Sequence, residues 1–306
     1  MDSTQTSTQP FTSLPAVPPL DRALIRAEAV TTAGGNVLEA LVPVQPQYRC
    51  YDPYAPVLLL IPGMGLDGTG LIRQLQLGEM SHVYLFQMPN YPAHGEVGLA
   101  QYARHVEEYI LLKKLDQRPG GLILGGNSMG GAISLLIASR GRVKLRGLAL
   151  VGTFGHAKHL PVYQRVAAPL AWIVPMNVGH VVVCRAAGLF RSRQRRADWK
   201  WLAHPEIWRT NGFYGRVVKA LTSLDLLDGA RKLSVPTLVI HGRRDSVLPH
   251  AAGVELSEII PGARLVTLDN AGHNLFFTHA DDVNTALAQF VASLEPVRPL
   301  AEVLDE

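Results

Sequence analysis

The sequence predicts an α/β fold: a mostly parallel, doubly wound sheet with a helical cap inserted after the sixth strand. Three observations carry this. Short apolar runs bounded by Gly and Pro recur along the chain and suit strands buried on both faces. Helical patterns lie between them, and strand–helix alternation implies helices on both faces of a parallel sheet. The alternation breaks once, between residues 155 and 222, where no strand pattern is convincing and the composition shifts.

Taken in order, residues 1–20 are rich in Ser, Thr, Gln and Pro. They lack a basic start and an apolar core, so a disordered tail is expected rather than an export signal. Residues 24–31 and 36–44 flank Ala33-Gly34-Gly35 and predict an antiparallel hairpin at the sheet edge. Further strands are expected at Val57–Ile61, His82–Gln87, Gly121–Gly125, Leu148–Val151, Thr237–Ile240 and Arg264–Leu268. Helices are expected at Leu99–Leu115, Met129–Ser139, Ala252–Ile260 and Ala280–Leu294. The core is therefore assigned to residues 21–154 and 223–306, and the cap to residues 155–222.

The cap block holds all four tryptophans, Trp172, Trp199, Trp201 and Trp208. It also holds a run without Asp, Glu, Lys or Arg, Val166–Cys184, long enough to be weighed as a membrane span. Pro169, Pro175, Asn177, Gly179 and His180 would break that helix and add polar cost. A buried or lid-forming helical pair is the expectation, with no transmembrane span.

Composition excludes several classes. With 47% hydrophobic and 18% charged residues, the chain is not intrinsically disordered. Two cysteines, Cys50 and Cys184, exclude a disulfide scaffold and a four-cysteine zinc site, and fit reduced thiols in a cytosolic protein. The net charge of +4 is uneven: residues 185–200 carry +5, leaving −1 for the remainder. A nucleic-acid partner would rest on that patch alone, and none is expected.

The chemistry centres on Gly126-Asn127-Ser128-Met129-Gly130, a G-x-S-x-G pattern between a strand and a helix. A strand turning sharply into a helix strains the middle residue, and small residues two before and two after avoid a clash. The hydroxyl then projects at a helix N-terminus, where positive dipole density favours an oxyanion. A serine needs a base and the base an orienting acid. His273, in the loop after the last strand, and Asp245, in the loop after the preceding strand, open on the same crevice as Ser128. Asp225 and Asp228 are substitute acids or helix caps.

Other signals are weaker. Gly63–Gly68 fits G-x-G-x-x-G, but the ribose-binding acid of a dinucleotide site would fall at Gln87. Pro62 and the preceding hairpin also argue against a dinucleotide site there. His156 and His159, with His204, could approach a metal, yet no HExxH or carboxylate cluster supports it, so neither metal nor cofactor is expected. His82, His94, His105, His180 and His250 are read as surface or core histidines.

Four pieces together resemble the α/β-hydrolase superfamily, capped serine esterase type, over residues 24 to 295. They are PGMG at 62–65, GNSMG at 126–130, PTLVIHGRRDSVLP at 236–249 and NAGHN at 270–274. The resemblance implies an α/β-hydrolase fold and an oxyanion hole from the backbone amides of Met64 and Met129. Family members usually carry His-Gly where this chain has Pro62-Gly63. The usual D-x-P-G-x-G segment is replaced by the stretch Gln87 to Gly95. Ser128, where dehalogenases and epoxide hydrolases carry Asp, points to carboxylic ester or thioester chemistry. The apolar cap favours a hydrophobic acyl or alkyl group.

An acyltransferase on the same three residues and a non-catalytic binding protein of the same fold remain as alternatives. The capped layout also loosely resembles that of the pimeloyl-carrier-protein methyl ester esterases, in which cap arginines meet an acidic acyl-carrier protein. That resemblance is of placement and charge only. Arg191, Arg193, Arg195 and Arg196 are thus either a solvated helix face or a docking surface for an acidic carrier protein or coenzyme A.

Overall fold

A computed structural model describes residues 22–89, 98–160 and 214–294. Its strands are β1 (Ile25–Thr31), β2 (Val37–Pro43), β3 (Val57–Ile61), β4 (His82–Gln87), β5 (Leu122–Asn127), β6 (Gly147–Val151), β7 (Thr237–Gly242) and β8 (Arg264–Leu268). Its helices are α1 (Leu99–Leu112), α2 (Met129–Arg140), α3 (Tyr214–Leu221), α4 (Leu227–Ala230), α5 (His250–Ile259), α6 (Leu275–Thr278) and α7 (Ala280–Ser293).

The strands form one sheet in the order β1-β2-β4-β3-β5-β6-β7-β8. β1 and β2 pair antiparallel, as the hairpin signal predicts, and β2 joins β4 antiparallel. From β4 to β8 every pairing is parallel. β3, β5, β6 and β7 are buried along their whole length. That is why they read as continuous apolar runs rather than alternating ones.

The period of two divides each central strand between two cores. Leu59, Ile61, Phe86 and Leu124 pack with Tyr102, Val106, Ile110, Ile133 and Ile137 of α1 and α2. Leu58, Leu60, Ile123 and Ile240 pack on the other face with Ile72, Leu75, Leu287 and Phe290. Helices thus cover both faces, and the sheet is doubly wound.

The second face contains an element that the sequence pattern does not announce, a 3-10 helix over Gly68–Glu79. Its Gln74 and Gln76 read as surface residues, yet both are buried. Gln74 Nε2 donates to the Phe276 carbonyl at 2.9 Å, and Asn284 Nδ2 donates to Gln76 Oε1 at 2.9 Å. Buried amides are tolerated when they satisfy one another.

Boundaries shift modestly. α1 ends at Leu112, not Leu115, because Lys114 turns left-handed at φ 53°. α5 starts at His250 and α2 runs on to Arg140, where Gly141 caps it at φ 62°. β5 starts at Leu122 and continues to Asn127, carrying the chain directly to Ser128.

Residues 155–160 and 214–222 are the described ends of the expected cap. The first is joined to the chain that directly follows the second. Leu226 N–H donates to the Gly155 carbonyl and Ala157 N–H to the Leu224 carbonyl, both at 2.8 Å. The charge-free run 166–184, the tryptophans, Cys184, His180, His204 and Arg191 to Arg196 lie outside the described residues, as do residues 1–20 and 90–97 with His94. Among the described residues no helix is long and apolar enough to cross a membrane.

Candidate active site

Ser128 sits between β5 and α2 at φ 54° and ψ −119°. A positive φ at a non-glycine residue costs about 1–3 kcal/mol and persists only when its surroundings hold it. They do so here from β6 and the residues just after it. Ser128 N–H donates to the Val151 carbonyl at 3.0 Å. The Ser128 carbonyl accepts the Thr153 hydroxyl at 2.6 Å. The two glycines of the pattern answer to close approach. A Cβ on Gly126 would lie 2.4 Å from the Gly130 carbonyl carbon, and one on Gly130 would lie 2.2 Å from the Ile61 oxygen.

Two loops at the same end of the sheet complete the arrangement. After β8, His273 brings Nε2 to 3.0 Å from Ser128 Oγ. After β7, Asp245 brings Oδ2 to 2.8 Å from His273 Nδ1. The carboxylate can only accept, so Nδ1 carries the hydrogen and Nε2 is left to accept from the serine hydroxyl. Asp245 Oδ1 is fixed by the amides of Val247 and Leu248, both at 2.8 Å.

The Asp245 side chain is fully buried, and that desolvation alone would push its carboxyl up. The His273 charge, then hydrogen bonds from His241, His273 and the Leu248 amide, outweigh it and hold the group well below the usual carboxylate range.

The loop after β3 closes on this site. Gly63 and Leu66 are joined by an N–H to carbonyl bond of 3.2 Å, with Gly65 at φ 79°. Positive φ at the third residue of a turn suits glycine. The amide of Met64 stands outside that bond. Met129 is the first residue of α2, and first-turn amides have no intrahelical acceptor. Gln87, where a dinucleotide site would need an acid, instead accepts the Gly68 amide on Oε1 at 3.1 Å and tethers this loop.

The remaining sequence candidates separate from the site. Asp225 caps α4 by accepting the Leu227 amide at 3.1 Å, and Asp228 pairs with Arg231 at 2.7 Å. His159 pairs with Glu255 at 2.8 Å, and His156 Nδ1 accepts the Lys158 amide. Among the described residues no cluster of three or more His, Cys, Asp or Glu is arranged to hold a metal. His82 meets the Asp52 carbonyl and His250 meets Thr267 Oγ1.

Two residues were not singled out by the sequence. Thr153 has no sequence signal, since its value lies in reaching Ser128 across the sheet. His241 does have one: it opens the HGRRD stretch, four positions before Asp245.

A family model described as serine aminopeptidase, S33 (Hydrolase_4) matches residues 94–279. The chain is 25% identical to a pimeloyl-[acyl-carrier protein] methyl ester esterase from Stenotrophomonas maltophilia, over 79% of this chain and 95% of that one. A protein of the same description from Neisseria meningitidis is 26% identical over 65% of this chain and 80% of that one. Among solved structures, a hydrolase from Pseudomonas aeruginosa superposes with a TM-score of 0.68 at 21% identity, covering 88% of this chain and 99% of that one. An esterase from Rhodococcus sp. superposes with a TM-score of 0.69 at 19% identity, covering 89% of this chain and all of that one. The sheet order, the strand–serine–helix turn and the family match agree, and the chain belongs to the S33 serine aminopeptidase family of α/β-hydrolases.

Proposed function

We propose that the chain is a serine hydrolase that cleaves a carboxylic ester or thioester of a hydrophobic acyl or alkyl substrate through an acyl-enzyme. The observation that carries this is the continuous path Ser128 Oγ to His273 Nε2 to Asp245, at 3.0 and 2.8 Å, rooted in a strained serine backbone.

In acylation, Ser128 Oγ attacks the carbonyl carbon while His273 Nε2 accepts its proton. Asp245 keeps the ring in the required tautomer and stabilises the imidazolium. The oxyanion binds the amides of Met64 and Met129, donors that cost no reorganisation as charge develops. His273 then passes its proton to the leaving oxygen or sulfur. A water deprotonated by the same nitrogen releases the acyl group and restores Ser128.

Two features favour an acyl group delivered on an acidic carrier. The curated relatives are named as esterases of a carrier-protein ester. The sequence carries Arg191, Arg193, Arg195 and Arg196 within six positions. Like charges at that spacing repel by a few tenths of a kcal/mol per close pair, and acidic groups relieve this.

The test is a chain-length series of p-nitrophenyl esters beside a thioester, an aminoacyl p-nitroanilide and a carrier-linked methyl ester. Ester or thioester turnover that falls on the order of a thousandfold or more in Ser128→Ala supports the reading. Turnover of the anilide alone would favour a peptidase. Product formed only with an added alcohol or thiol would favour an acyltransferase. Carrier docking predicts that kcat/KM for the carrier-linked ester falls steeply with ionic strength while a neutral ester is indifferent. An equal response of both substrates would remove the arginines from substrate capture.

A further inference from the structure

Asp245 does not meet one imidazole but two. The ring of His241 is completely buried at the end of β7. Its Nε2 lies 3.1 Å from the Leu248 carbonyl and 3.4 Å from Asp245 Oδ2, the same oxygen that accepts His273 Nδ1–H.

The geometry fixes which nitrogen carries the hydrogen. The Leu248 carbonyl can only accept, so Nε2 must donate. Nδ1 is buried and has no hydrogen-bond partner among the described residues. A hydrogen there would be an unpaired buried donor, which is costly. The ring cannot slide away from this position. A Cβ on Gly253 of α5 would stand 2.6 Å from Nδ1, so helix backbone backs the ring directly. His250 of α5 meets it edge-on with centroids 5.9 Å apart, and is itself tied to Thr267 of β8 at 2.8 Å.

We propose that His241 is a positioning residue of the site: its Nε2–H staples the turn from Asp245 to Leu248 and holds Oδ2 where His273 Nδ1–H meets it. This rests on the serine hydrolase reading and adds a second imidazole behind the acid. Two amides, those of Val247 and Leu248, then hold Oδ1, and the His241 ring stands beside Oδ2. Only the Oδ2 direction toward His273 remains for the reacting ring. By sharing negative charge on Oδ2, His241 also moderates how strongly Asp245 holds a proton on His273. The titratable and charged groups around His241 are Asp245 and His250 against the ring, His273 across the carboxylate, and the Arg243–Asp269 ion pair beyond His250.

The experiment compares His241→Leu, which removes the donor, with His241→Gln, whose amide nitrogen can occupy the Nε2 position. On a neutral p-nitrophenyl ester, His241→Leu is expected to lose about tenfold to a hundredfold in kcat with KM within about twofold. The acid limb of its kcat/KM profile moves to higher pH, because an unshared Asp245 charge favours protonated His273. His241→Gln restores most of both. A His241→Leu enzyme with wild-type kcat and an unmoved acid limb overturns the proposal. So does a slower enzyme whose limb is unmoved and which His241→Gln does not rescue, since that marks a packing defect alone.

If His241→Leu does not fold, nitrogen-15 imidazole spectra of the wild-type protein decide. The Nε2–H tautomer of His241, perturbed by Asp245→Asn, is expected, and the Nδ1–H tautomer overturns the proposal. Ser128→Ala separates the two levels. If it keeps turnover, the hydrolase reading itself fails. If it is inactive while His241→Leu is normal, only the role of His241 fails.

Discussion

His273 Nδ1 and Asp245 Oδ2 lie 2.8 Å apart although 28 residues of sequence separate them. The distance is set by β7 and β8, adjacent parallel strands whose C-terminal loops open on one side of the sheet. Neither loop could make the contact alone. Asp245 is held by its own turn, where Oδ1 takes two amides and Oδ2 meets the His273 ring.

Asp245→Asn is expected to lower kcat by on the order of ten-thousandfold, because an amide nitrogen toward Nδ1 favours the wrong tautomer of His273. Asp225→Asn and Asp228→Asn should stay within about twofold, since those side chains serve α4 and Arg231. Steady-state kinetics of the three purified variants on one ester checks this. Loss of activity in Asp225→Asn instead would reassign the acid.

The pH profile has a defined sign and slope. In the proposed mechanism a protonated base cannot accept the serine proton, so kcat/KM is expected to fall as pH falls. Asp245 is held well below the usual carboxylate range, so it stays ionised through mildly acidic pH. One proton therefore governs the acid limb, and log kcat/KM should drop with a slope of about one per pH unit. A slope approaching two would show that the acid titrates with the base.

How far this arrangement could be read in advance depended on where each residue's information lies. Ser128 is flanked by glycines that steric contact demands, so the turn leaves a local trace. β3, β5 and β6 are buried on both faces, so they appear as uninterrupted apolar runs. The helix over Gly68–Glu79 left no such trace, because Gln74 and Gln76 are buried polar residues whose partners lie some two hundred positions away. Thr153 was silent for the same reason. Its hydroxyl matters only after β5 and β6 have paired in register.

Gly126→Ala and Gly130→Ala test the close packing of the turn. Each new methyl would meet backbone atoms at 2.4 and 2.2 Å, which neither strand nor helix can yield cheaply. We expect a loss of about 1–3 kcal/mol in stability together with strongly reduced turnover. Calorimetry and ester kinetics on the same samples check both. Full activity in either variant would mean that the turn adapts and that the strain at Ser128 is not essential.

Glu255 of α5 pairs with Lys158 and with His159. Burial alone would raise its carboxyl, but bonds from Lys158 and His159 lower it overall. A depressed folded value contributes stability above the unfolded value, and that stability is lost as pH falls through the folded value. Glu255→Gln should therefore lower Tm by about 1–3 °C at neutral pH, with the difference closing on acidification. Thermal melts at pH 7 and at pH 3.5 check the sign. A gap that widens in acid would contradict it.

The most direct measurement is covalent trapping of the nucleophile. A fluorophosphonate should phosphonylate the native protein once, with the adduct mapped by peptide mass spectrometry to Ser128. Labelling should slow as pH falls, in step with protonation of His273, and should vanish in Ser128→Ala and in His273→Ala. An unmodified wild-type protein, or an adduct on any residue other than Ser128, would contradict the account.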